Sequence, residues 1–380
     1  METELIQRTI ELQSKIADNN MDGILLTHPD SIYYISNYCG YMGMTFGRPT
    51  LLFIPRSGEC TIITPQMESE MCRNMTWIEN VESWLDGVNS EWMKPLTGLL
   101  GKYKVHILGI EQISIPYLIF QFLTQHFSNI TYTDATRLLR PMRMVKSATE
   151  IEIMRQAGEI AIAMVESARN VISEGIPEYE ITLAAMAGGT RKAATFLSNY
   201  FFSPTIYNQQ VLQSGHDTSM VHRRNSIRRL QQGEVIYLCF CGLANFKHYK
   251  LGFDREFFLG SVTDEQAKLY ELAVKAQLTA LNTIRPGVLA EEVHFAASEV
   301  YQKAGFEPSY RTGRSIGCSF LEPPELKAGD KTPLQIGMTF AVDGGITIPH
   351  QFGARVGDSI VVTNEGFEYL TPYPKNLSIL

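Results

Sequence analysis

The chain has 380 residues, 44% hydrophobic and 19% charged, the balance of a soluble globular protein long enough for two domains with separate cores. A formal net charge of −7 argues against general nucleic-acid binding, and the polar, amphipathic residues 1–20 read as neither a signal peptide nor a membrane span. Six cysteines are scattered without a disulfide-scaffold or zinc spacing, which points to a cytoplasmic protein.

Leu5, Ile6, Ile10, Leu12 and Ile16 recur at helical spacing, and Asp22-Gly23 leads into a buried strand over 24–27. Strand-like runs at 51–54, 61–64 and 105–110, with helical stretches between them, predict a small α/β domain ending near Asp134. Residues 140–146 read as a short linker, which sets domains at 1–140 and 145–380. Ser147-Ala148-Thr149-Glu150 is a capping box: the Ser side chain takes an orphan amide and the Glu reaches back. It predicts a helix to about Ile172, closed by Glu174-Gly175-Ile176-Pro177. A second box, Thr263-Asp264-Glu265-Gln266, predicts a helix to about Ile284. With strands over 235–259 and 338–363, the second part reads as an α+β sheet wrapped by helices. Cys239 and Cys241 would share one face of a strand, as a redox or metal pair or, more simply, as small apolar core residues.

Four pieces of the second half carry further information. They are Ser214-Gly215 followed by His222; Gly233-Glu234-Val235-Ile236 running on to Asp254-Arg255; Gly313-Arg314-Ser315-Ile316-Gly317; and Gly337-Met338-Thr339-Phe340-Ala341-Val342-Asp343 with Arg355-Val356-Gly357-Asp358. In order and spacing they resemble the pita-bread family of methionine and Xaa-Pro aminopeptidases (M24), and within it creatinase, which works without metal. The resemblance implies a C-terminal pita-bread domain preceded by a smaller α/β domain. The family's usual cage is two Asp, one His and two Glu around two divalent ions. Carried over, the first Asp falls in Cys239-Phe240-Cys241, the second at Gly252, the His at Arg314, and the two Glu at Asp343 and Gly357. Hard cations need converging oxygen and nitrogen donors, and a guanidinium would repel them. The expectation is therefore a site with no metal and no cofactor.

The resemblance assigns roles to the residues that remain. His222 matches the His that moves protons between water, substrate and leaving nitrogen, work suited to imidazole; the plain alternative is a hydrogen-bonding loop His. His216 is not at a family position. Asp254 and Asp343 fall where creatinase has two Glu around its substrate's guanidinium, each one methylene shorter. Paired carboxylates suit a cationic guanidinium or amidinium, although Asp254 could instead form a sheet salt bridge with Arg255 or Arg355. Arg314 should neutralise Asp343, bind an anionic group or polarise a carbonyl, and burial demands a carboxylate partner for it. Arg355 joins it in the substrate-binding set. Thr45-Phe46-Gly47-Arg48-Pro49 resembles the creatinase segment that reaches across a dimer, where Arg48 would hold a substrate carboxylate and Phe46 would wall the pocket. The alternative is a turn with a solvated Arg.

Some positions depart from creatinase. Leu321 stands in place of a His and Glu325 near the place of a second Arg, so creatine is not the expected substrate. Asn245–Lys250 is an insertion in which His248 and Tyr249 read as hairpin residues. The basic run His222-Arg223-Arg224 with Arg228-Arg229 reads as a solvated hairpin. The expected function is metal-independent hydrolysis of a C–N bond in a small guanidino, amidine or amide compound bearing a carboxylate. Asp254 either orients the substrate or attacks it directly. The alternatives are a lyase, decarboxylase or cyclisation step on the same scaffold, and a catalytically inactive peptide- or protein-binding domain. The expected partners are a small-molecule substrate and a second copy of the chain sharing the active site, with neither nucleic acid nor membrane.

Overall fold

The computed structural model describes residues 2–42, 47–88, 90–206, 212–240 and 245–380. They fall into two units, Met1–Arg143 and Met144–Leu380. No helix among the described residues is long and apolar enough to cross a membrane.

In the first unit, α1 (Glu2–Asp18) buries Leu5, Leu12 and Ile16 on one face, as their spacing requires. After it come β1 (Gly23–Leu26), α2 (Pro29–Ser36), β2 (Leu51–Pro55), β3 (Thr61–Pro65), α3 (Gln66–Met75), β4 (Asn80–Trp84), α4 (Met93–Lys102), β5 (Ile107–Ile110), α5 (Tyr117–His126), β6 (Thr131–Asp134) and α6 (Thr136–Met144). The sheet order is β4-β3-β2-β1-β5-β6. Here β1, β5 and β6 run parallel, while β2 pairs antiparallel with both β1 and β3. Leu25, Phe53, Trp92, Leu108 and Phe122 form the core. The expected linker is partly helix. α6 continues through Pro141 to Met144 because burial of Leu138 and Leu139 outweighs the one backbone bond that a proline removes.

The second unit holds α7 (Ala148–Arg169), α8 (Glu178–Ala194), β7 (Leu212–Ser214), a 3-10 turn (Gly215–Ser219), β8 (Val235–Cys239), β9 (Asn245–Phe246), β10 (Tyr249–Lys250), β11 (Asp254–Phe258), α9 (Asp264–Thr283), α10 (Ala290–Lys303), β12 (Gly313–Ser315), β13 (Glu322–Leu326), β14 (Thr339–Ile348), β15 (Phe352–Thr363) and β16 (Gly366–Tyr369). Both capping boxes are made in full, at Ser147/Glu150 and Thr263/Gln266. The sheet runs β13-β12-β14-β15-β11-β8-β7, with β16 on the far part of β15. α9 lies close on this sheet: a Cβ at Gly344 would come within 2.2 Å of Ala273 O. The inserted residues 245–250 are the hairpin β9–β10, and the Tyr249 hydroxyl reaches back 2.8 Å to Glu150.

Candidate active site

Strand register builds the site. β15 lies between β11 and β14, and Gly357 pairs with Asp254 on one side and Asp343 on the other. Cys239 of β8 pairs with Asp254 and extends the row. Directly paired residues project from the same sheet face, so the two aspartates, 89 positions apart in the chain, flank a glycine. A Cβ on Gly357 would lie 2.8 Å from Asp254 Oδ2 and 2.9 Å from Asp343 Oδ1. The two carboxylates thus face each other across the space that any side chain at 357 would fill.

Arg314 comes from the next strand, β12, and donates through an Nη to Asp343 Oδ2 at 2.6 Å. It is 4% exposed, and its guanidinium stacks over the Phe320 ring at 4.3 Å. Asp343 Oδ1 is buried and has no hydrogen-bond partner among the described residues. Behind the strand, the Tyr301 hydroxyl accepts the Gly345 N–H at 2.8 Å. Burial pushes that phenol up to about 12, the Gly345 bond opposing and the Asp343 charge adding, so it stays protonated. Gly252 is tied by its backbone to Ser359 Oγ through two bonds. Among the described residues, no three of His, Cys, Asp and Glu gather into a group that could hold a metal ion.

His222 sits exposed on a turn, and neither ring nitrogen has a partner among the described residues. Arg355 turns away: its guanidinium lies where a side chain at Gly353 would go and donates to Thr218 O at 3.1 Å and Thr347 Oγ1 at 2.7 Å. The sheet salt bridge considered for Asp254 forms elsewhere, because Arg255 pairs at 2.6 Å with Asp358. Arg48 forms a surface pair with Asp86 at 2.6 Å. Phe46 and Cys241 lie outside the described residues.

The basic run is not a solvated hairpin. Arg223 pairs with fully buried Glu178 at 3.0 Å and with Asp217 at 3.0 Å, and Arg228 bonds Glu234 at 2.8 Å. Sequence reading missed Glu178, because it follows Pro177 at a helix start and reads as an ordinary first-turn acid. It also missed the ring of Phe320 under Arg314 and the buried Lys146–Glu322 pair at 3.1 Å. The Lys146–Glu322 pair carries no local pattern, since its members are 176 positions apart.

Residues 152–364 match the model of metallopeptidase family M24, and residues 8–145 match the creatinase/prolidase N-terminal domain. The chain belongs to family M24. It has the two-domain creatinase/prolidase architecture, an N-terminal α/β domain before the pita-bread domain. Among its relatives, an agropine synthesis cyclase of Rhizobium rhizogenes is 29% identical, covering 95% of this chain and 94% of that protein. A Xaa-Pro dipeptidase of Pyrococcus horikoshii is 27% identical over 98% of both. Among solved structures, the prolidase of Pyrococcus horikoshii OT3 superposes with a TM-score of 0.85 at 25% identity, covering 98% of this chain and 99% of that one. A Xaa-Pro dipeptidase from Bacillus anthracis shares the fold, with a TM-score of 0.85 at 24% identity over 99% and 100% of the two chains.

Proposed function

We propose that this M24 protein is a metal-independent enzyme that hydrolyses a C–N bond in a small compound with a cationic guanidino or amidine group and a carboxylate. The reading rests on Asp343 Oδ1, a buried and unpartnered carboxylate oxygen facing Asp254 across Gly357. Two facing carboxylates repel unless a positive donor lies between them, and a guanidinium or amidinium offers N–H groups to both. A pair of divalent ions fits the donors poorly. The row supplies two aspartates, glycine stands at 252 and 357, and a guanidinium already bonds one carboxylate.

In this reading Asp254 and Asp343 orient the cationic end, and Arg314 fixes Asp343. His222 takes a proton from water as the hydroxide oxygen bonds to the central carbon. The C–N bond then breaks, and the proton passes to the leaving nitrogen. Arg48 would exchange Asp86 for the substrate carboxylate, in a site shared between two copies of the chain. A second reading replaces water with a hydroxyl or amine of the substrate itself, so that the same groups close a ring. The 29% identity to an agropine synthesis cyclase along nearly the full chain favours keeping it.

A mass-spectrometric turnover screen of guanidino acids, cyclic amidines and N-substituted amino acids, with and without chelator, tests both. Gain of one water in mass, insensitive to chelator and lost in Asp254→Asn, is the expected result. Release of ammonia or an amine with no water gained selects ring closure. Turnover abolished by chelator overturns the metal-free site.

A further inference from the structure

Loops are normally the mobile part of a domain, yet the loop that carries His222 is fastened from several directions. Glu178, fully buried in the first turn of α8, gathers most of the fastenings. Its Oε1 accepts the Ser214 hydroxyl at 2.7 Å, and its Oε2 accepts Arg223 at 3.0 Å and the Ser226 N–H and hydroxyl at 2.9 and 2.7 Å. One carboxylate therefore holds the start of the loop, the residue directly after His222, and the loop's return. Gln213, also fully buried, donates to Met220 O at 2.6 Å and Arg223 O at 2.8 Å, bracketing the turn. From the sheet, Arg355 holds Thr218 O. Arg223 is drawn inward to Glu178 and Asp217, while the imidazole beside it is left open.

We infer that Glu178 is a positioning residue that fixes the backbone of the turn presenting His222 to the substrate. This rests on the reading that His222 moves the proton. A buried charge cluster contributes little net stability compared with apolar packing, but it does impose one geometry, and a displacement of about 1 Å can cost roughly 100-fold in rate. Glu178→Gln keeps the shape, removes the charge that holds Arg223, and leaves the imidazole untouched.

The test compares Glu178→Gln, His222→Asn and the double variant by two readouts. The first is turnover of whichever guanidino acid or cyclic amidine the screen identifies. The second is ¹⁵N relaxation of the amides of residues 220–224 without any ligand. Glu178→Gln is expected to lower kcat about 10- to 100-fold with KM changed less than about threefold, and to loosen the turn amides. In the His222→Asn background it should lower kcat no further, while still lowering the melting temperature. A kcat loss undiminished in that background, or turn amides as ordered as in the wild type, overturns the positioning role. If His222→Asn alone keeps full turnover, the proton-transfer reading falls, and the relaxation data still report whether Glu178 holds the turn. Should Glu178→Gln fail to fold, Arg223→Met cuts the same link from a partly exposed side chain and carries the same expectations.

Discussion

Asp343 meets two opposite demands with one carboxyl group: Oδ2 satisfies Arg314, and Oδ1 lies buried, facing Asp254 across Gly357. Glycine at 357 is what lets the two carboxylates stand this close to the strand between them. In Gly357→Ala the new methyl would stand within 3 Å of both carboxylates, and neither can retreat freely, since one is held by Arg314 and the other lies in a paired strand. Overpacking of this kind costs roughly 1–3 kcal/mol. The variant should lose that much in urea denaturation and lose most of its turnover; unchanged turnover would mean that substrate does not enter between the aspartates. A second carboxyl, Glu256, two residues on from Asp254, is buried. Burial pushes it well above the usual carboxylate range, with Arg355 pulling it down and Asp254 adding to the rise. The folded state therefore holds a proton that the unfolded chain releases near pH 4.3. Its contribution to stability is fully present below that pH and declines as pH rises towards the folded-state value. Glu256→Gln, which mimics the protonated form, should gain stability over wild type at pH 8 relative to pH 4. Parallel stability curves across that range would show that Glu256 is ionised in the fold.

At the scale of elements, the sheet and the C-terminal segment are locked together by one charge. Asp358 of β15 is fully buried and accepts Arg255 of β11 at 2.6 Å, Lys375 at 2.7 Å and Gln277 of α9 at 3.0 Å. Arg255 also donates to Tyr373 O and Pro374 O, so strand, helix and tail meet at this pair. Asp358→Asn would leave the buried Arg255 and the partly exposed Lys375 against a neutral amide, at a cost of roughly 3–5 kcal/mol. A loss under 1 kcal/mol in urea denaturation would mean that the cations find other partners. This joint marks the limit of what the sequence discloses. The capping boxes were legible because each is completed within four residues, and the helix from 2 to 18 because its apolar face repeats. The Asp254–Gly357–Asp343 row was legible only through resemblance, since it depends on which strand lies between two others. The hold of Glu178 on Arg223 was not legible, because an acid after Pro177 and a basic run 45 residues later look independent until the loop folds onto α8.

For the whole molecule, family M24 membership supplies the architecture and leaves the chemistry to the residues in the row. A resident metal would contribute to more than catalysis. An ion that binds the folded chain and not the unfolded one adds RT ln(1 + [L]/Kd), about 2.7 kcal/mol at a hundredfold excess over Kd. Removing it lowers the melting temperature even when no substrate is known. The donors in this chain give no such contribution in the metal-free reading, because Arg314 already supplies positive charge to Asp343 and glycine stands at 252 and 357. Dialysis against EDTA should therefore leave the melting temperature unchanged, and added Mn²⁺ or Co²⁺ should not raise it. A fall of several degrees that the cation reverses would mean that the ligand positions were carried over in the wrong register, and that donors other than the aspartate row hold the ion. An unchanged melting temperature together with chelator-resistant turnover would assign the charge work at this site to a guanidinium and two carboxylates.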